Sequence, residues 1–125
     1  MPNGKKVIII EDDRFLSSLI KARLEKDGYV VIQAFDGNEA VSLLKKEVPD
    51  LIILDLIMPK VTGFEVLEEV SMMPEVSKTP VVILSNLAQD SDIEKAKRLG
   101  AAEYFVKVRV SIDDLIKTVE NIVRQ

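Results

Sequence analysis

Residues 7–13 read Val7-Ile8-Ile9-Ile10-Glu11-Asp12-Asp13, four β-branched residues followed by three acids. An unbroken apolar run of this kind suits a strand buried on both faces, as in a parallel sheet. Similar runs return as Tyr29-Val30-Val31-Ile32, Leu51-Ile52-Ile53-Leu54, Val81-Val82-Ile83-Leu84 and Tyr104-Phe105-Val106. Between them the apolar period becomes helical. Leu16, Leu19, Ile20 and Leu24 form a stripe that runs toward Gly28, a residue suited to the position after a helix. Ala40, Leu43 and Leu44 precede Pro49, and Phe64, Leu67 and Val70 follow Gly63. Ile93, Ala96 and Leu99 run into Gly100, and the last stripe is Ile112, Leu115, Ile116, Val119, Ile122 and Val123. Asp13 reads as the N-cap of the first helix, and Ser111 with Asp114 as an N-cap and N3 pair opening the last.

Strand and helix therefore alternate five times. That order predicts an α/β fold with one parallel sheet, helices on both faces and right-handed crossovers. Connections are short apart from Met58–Gly63 and Met72–Pro80, the second of which reads as an ordinary surface loop. A chain of 125 residues is expected to form one domain, residues 1–125.

Composition removes several chemistries. The chain has no cysteine and no histidine. Disulfides, thiolate zinc sites and thiol nucleophiles are excluded, as are imidazole bases and imidazole metal ligands. A metal here must be held by oxygen, which points to Mg²⁺, Ca²⁺ or Mn²⁺. A formal net charge of −4 argues against nucleic acid as a direct partner. No apolar run is long enough to span a bilayer or serve as a signal peptide, so the expectation is a cytoplasmic protein without a membrane segment.

In such sheets, ligands bind beyond the carboxyl ends of the strands. The residues standing there are Glu11, Asp12 and Asp13 after the first run, Asp55 after the third, Ser85 and Asn86 after the fourth, and Lys107 after the fifth. The second run delivers only Gln33, Ala34 and Phe35, so its strand is expected to lie to one side. Taken singly, each polar residue has a plainer explanation as a cap, a turn residue or a solvated end. Taken together, they have a chemical use. Close carboxylates repel one another unless a cation joins them, and oxygen ligands suit Mg²⁺. One carboxylate can then attack phosphorus to form an acyl phosphate. The cation, a hydroxyl and an ammonium neutralise the charge on the phosphoryl oxygens.

Val7–Asp12, Asp55, Met58-Pro59, Gly63, Ser85, Tyr104 and Lys107 together resemble the receiver domain of bacterial two-component response regulators, over almost the whole chain. The resemblance implies a flavodoxin-like (βα)5 three-layer sandwich with strand order 2-1-3-4-5, the order of the family's chemotaxis member. It makes Asp55 the phosphoacceptor. Glu11, Asp12, Asp55 and the backbone carbonyl of Ile57 become the Mg²⁺ ligands, with Mn²⁺ as an alternative ion. Ser85 and Lys107 would contact the phosphoryl group, and Ser85 and Tyr104 would form the switch. Gly63 matches the glycine that lets the loop after Asp55 turn into the third helix. The implied donor is a sensor histidine kinase or a histidine phosphotransfer protein. The implied output is a downstream protein bound by the face of helix 4, strand 5 and helix 5. The implied activity is self-modification, Mg²⁺-dependent phosphorylation and dephosphorylation of an aspartate, and not conventional turnover.

Four positions depart from the family pattern or vary within it. Val108 follows Lys107 where proline is usual, and a cis bond before a non-proline residue costs about 2.5–4 kcal/mol, so a trans bond is expected. Asn86 stands where a small residue is usual and is expected to narrow the path to Asp55 or to hold a water or a phosphoryl oxygen. Ile57 and Leu87 occupy positions that modulate phosphoryl loss, and their apolar side chains are expected to exclude the attacking water. The competing reading is a pseudo-receiver, an interaction module that never carries phosphate. A flavin mononucleotide binder is disfavoured by Glu11-Asp12-Asp13 in place of a phosphate loop, and an aspartyl phosphatase by Ile57 where a second aspartate is needed. The chain ends with its last helical stripe, as in a stand-alone receiver or one excised from a longer protein.

Overall fold

The strands alternate their side chains between two cores. Ile8, Ile10, Ile52, Leu54, Val81 and Ile83 enter one, and Val7, Ile9, Leu51, Ile53, Val82 and Leu84 enter the other. Such period-2 sharing of wholly apolar strands is what a sheet covered on both faces requires. The structure, a computed structural model, describes residues 4–124; residues 1–3 and 125, assigned by the sequence to the same domain, lie outside the described residues.

The elements run β1 (Lys6–Ile10), α1 (Arg14–Lys26), β2 (Val30–Ala34), α2 (Gly37–Leu44), β3 (Leu51–Leu54), α3 (Gly63–Ser71), β4 (Val81–Ser85), α4 (Asp90–Arg98), β5 (Ala101–Val106) and α5 (Ile112–Val123). A single 3-10 turn, Lys107–Arg109, joins β5 to α5. The five strands are parallel in the order β2-β1-β3-β4-β5, as the resemblance implies. Ala40, Leu44, Val66, Leu67, Val70 and Ala96 bring α2, α3 and α4 onto one face. Ile20, Leu24, Leu115, Ile116 and Val119 bring α1 and α5 onto the other. Each fully buried Val, Leu or Ile side chain of this set contributes about 1.5–3 kcal/mol.

Local chemistry fixes the ends. Asp13 caps α1 by accepting from the Leu16 amide, and Ser111 caps α5 by accepting from the Asp114 amide. Gly28 takes the left-handed φ of 94° that closes α1. Thr62 and Glu65 form a reciprocal capping box on α3.

Three sequence expectations need correcting. β2 begins at Val30, because the Tyr29 amide donates back to the Leu24 carbonyl and closes α1 before the ladder starts. β5 begins at Ala101, three residues before the apolar run. It is an edge strand, so pairing with β4, and not two-sided burial, defines its start, with a register shift near Val81. Residues 72–80 are not simply a surface loop. Val76 is buried within the α2–α3–α4 core beside Met73, and the Thr79 hydroxyl ties the segment to the Pro49 carbonyl. No helix among the described residues is long and apolar enough to cross a membrane.

Candidate functional site

The site follows from strand parity. Glu11 is the next residue in the Val7–Ile9 row, Asp55 in the Leu51–Ile53 row, and Lys107 follows Phe105 on the same face. Ladder bonds carry past the ends of the strands: the Asp55 amide donates to the Ile10 carbonyl and the Glu11 amide to the Ala34 carbonyl, both at 3.0 Å. β1 and β3 are neighbours, so their carboxylates meet; β4 lies between β3 and β5, and the long lysine stem crosses that gap. Lys107 Nζ stands 2.6 Å from Glu11 Oε1 and 2.9 Å from Asp55 Oδ2. Ser85 and Tyr104 follow the opposite parity, with Val81, Ile83 and the α2–α3–α4 core.

Glu11, Asp12 and Asp55 each offer a carboxylate oxygen, all within 4.8 Å of one another. Glu11 and Asp55 are buried, whereas Asp12 is exposed. The second oxygens are held by backbone, with the Asp13 amide donating to Glu11 Oε2 at 3.0 Å and the Ile57 amide to Asp55 Oδ1 at 3.1 Å. Glu11 Oε1 lies at ion-pair distance from Lys107 but accepts no well-directed hydrogen bond. A buried carboxylate oxygen in that state, in an all-oxygen cluster, fits a hard divalent cation.

The electrostatics agree with an under-compensated acidic pocket. Burial pushes the Glu11 carboxyl up to about 7, against the nearby Lys107 ammonium and the bond from the Asp13 amide, which lower it, and the Asp55 charge adds to the rise. Burial alone would lower the Lys107 ammonium, but its ion pairs with the Glu11 and Asp55 carboxylates hold it above the ordinary lysine value. The Tyr104 hydroxyl is raised by burial and by the charges of Asp92 and Asp55.

Ser85 is wholly buried, and its hydroxyl oxygen accepts from the Leu87 amide at 3.3 Å. Tyr104 is half-buried against the α2–α3–α4 core and donates its hydroxyl to the Leu87 carbonyl at 2.7 Å. Ile57 is 52% exposed, Leu87 half-buried and Asn86 exposed. The Lys107–Val108 bond is trans, as no described peptide bond is cis, and Val108 points to solvent. Gly63 is required by close packing. It has no left-handed φ; a Cβ there would strike the Asp55 carbonyl and Leu56 Cα. Two contacts escaped the sequence reading, the Glu11–Lys107 pair and the Leu87 backbone between Ser85 and Tyr104. The first depends on the longer stem of glutamate, and the second runs through main-chain atoms that carry no residue signature.

A family model for the response regulator receiver domain matches residues 7–120. A probable transcriptional regulator, ycf27, of Porphyridium aerugineum is 39% identical over 103 residues, 82% of this chain and 42% of that protein. The match thus spans about two-fifths of the length of the curated relatives it finds. The Francisella response regulator 1452 receiver domain superposes with a TM-score of 0.88 at 31% identity, covering 97% of this chain and 98% of that one. The chemotaxis response regulator CheY4 of Vibrio cholerae has a TM-score of 0.88 at 30% identity, with 96% and 99% covered.

Proposed function

Because the chain belongs to the response regulator receiver domain family of two-component signalling, we propose that Asp55 accepts a phosphoryl group from a phosphohistidine carried by a sensor histidine kinase or a histidine phosphotransfer protein. Residues 1–125 include no histidine, so the donor histidine lies outside them. An Asp55 carboxylate oxygen forms the new bond to phosphorus as the bond to the donor nitrogen breaks and that nitrogen keeps the electron pair. Glu11, Asp12, Asp55 and the Ile57 carbonyl hold Mg²⁺, or Mn²⁺ in its place. When bound, the ion neutralises charge on the phosphoryl oxygens. Lys107 supplies an ammonium on the side facing β5, and Ser85 turns its hydroxyl from the Leu87 amide toward a phosphoryl oxygen. That turn changes the loop whose Leu87 carbonyl holds Tyr104, and so couples Asp55 to the α4–β5–α5 face, where a downstream protein binds. Ile57 and Leu87 limit water at the acyl phosphate, and Asn86 stands exposed at the end of β4. Residues 1–125 act as one domain, in the cytoplasm.

The observation that carries this reading is the Lys107 ammonium between two buried carboxylates of a three-carboxylate cluster. No observation favours the phosphate-free interaction module. The test is intact-mass analysis after incubation with acetyl phosphate and Mg²⁺. The wild type is expected to gain one phosphoryl group and Asp55→Asn none; no gain in the wild type, even with a cognate kinase, would refute the reading.

A further inference from the structure

The loop between β3 and α3 is clamped by the start of α2. Lys60 is the only non-glycine among the described residues with a left-handed backbone, at φ 70°, and the Val61 amide closes a tight turn onto the Pro59 carbonyl at 2.9 Å. Such a conformation persists only when its surroundings hold it. Here the surroundings are Asp36 and Gly37. Lys60 Nζ stands 3.7 Å from Asp36 Oδ2, while Asp36 Oδ1 caps α2 by accepting from the Glu39 amide at 2.8 Å. Gly37 is buried, and a Cβ there would lie 2.5 Å from both Val61 Cβ and the Val61 carbonyl oxygen. The carbonyl is main chain, so the loop itself would have to move. At its other end the loop is pinned by Gly63, whose amide donates to the Leu56 carbonyl at 3.0 Å. Ile57 lies between these two fixed points.

We propose that Gly37 is a positioning residue for the metal site: its missing side chain lets α2 press on Val61 and set the loop that carries the Ile57 carbonyl. This inference rests on the reading of Asp55 and Ile57 as metal ligands. Asp36 and the left-handed Lys60 complete the clamp.

The test titrates Mg²⁺ by calorimetry into wild type, Gly37→Ala and Lys60→Pro, with melts in chelator and acetyl phosphate labelling across a Mg²⁺ series. Lys60 is exposed, and proline cannot adopt a positive φ, so the second variant disturbs the loop without touching the core. Mg²⁺ Kd is expected to rise by about 10-fold or more in both, as for other residues that orient metal ligands. The labelling rate should return to near the wild-type value at saturating Mg²⁺, so the defect lies in the Mg²⁺ requirement and not the maximum. A folded variant with wild-type Mg²⁺ affinity and only a lower melting temperature would overturn the inference alone. A wild type that takes up no Mg²⁺ would overturn the metal site and the inference with it.

Discussion

Replacing Lys107 by methionine separates the two cations that the acidic pocket can use. The ammonium lies 2.6 Å from Glu11 and 2.9 Å from Asp55, and both carboxylates are buried. Removing one partner of a buried pair costs about 3–5 kcal/mol, because it strands the other charge. The Lys107 side chain is 18% exposed, so water relieves part of this and the low end, about 3 kcal/mol, applies. Against a total stability of about 5–15 kcal/mol, the variant still folds. Glu11, raised to about 7, can also take up a proton in place of the lost ammonium, so the loss should be larger at high pH than below neutrality. A divalent cation bound in the same cluster would do the ammonium's work. Lys107→Met should therefore be markedly less stable than wild type in chelator but close to it in saturating Mg²⁺. By linkage it binds Mg²⁺ more tightly, by about tenfold for each 1.4 kcal/mol recovered. Urea unfolding with and without Mg²⁺ measures both quantities. An equal loss under both conditions, or weaker Mg²⁺ binding in the variant, would refute the idea that lysine and metal compensate the same charges.

Gly63→Ala should lower stability by about 3 kcal/mol in urea unfolding, since its Cβ meets main chain that cannot move aside; a loss near zero would show that the contact relaxes freely. Glu11 contributes a pH dependence whose sign is fixed. Its folded pKa of about 7 exceeds the ordinary 4.5, so between these values the folded protein keeps a proton that the unfolded chain has released, and stability falls as pH rises. In metal-free buffer, the stability of wild type relative to Glu11→Gln should drop by up to about 1.4 kcal/mol per pH unit across that window and then level off. A flat or rising difference would contradict the shift. Ile57→Asn/Leu87→Glu should shorten the phosphorylated lifetime, as followed by the decay of the mass adduct; unchanged or slower decay would remove these side chains from the control of water.

The fold was legible because five apolar runs and the helical stripes between them carry strong, distinct periods. Boundaries slipped where tertiary pairing outweighed local pattern. Ala101-Ala102-Glu103 has no apolar signature, yet it begins an edge strand because β4 supplies its backbone partners. Val76 looked like one residue of a proline-bearing loop, but the α2–α3–α4 face left space that it fills. Around the site, residue types after each strand announced the carboxylates, hydroxyl and ammonium. Their pairing was harder to read. Whether Lys107 meets Glu11 as well as Asp55 depends on strand order and stem length together. The seating of Gly37 on Val61 depends on how α2 and the β3–α3 loop pack, with about twenty residues of chain between them.

The central claim is that Asp55 carries the phosphoryl group. The most direct measurement is borohydride reduction of protein treated with phosphodonor and Mg²⁺, followed by peptide mass mapping. An acyl phosphate at Asp55 is reduced to homoserine, so residue 55 should appear as homoserine only when donor and Mg²⁺ are both present. Unmodified aspartate at 55, or homoserine at Asp12 instead, would contradict the account.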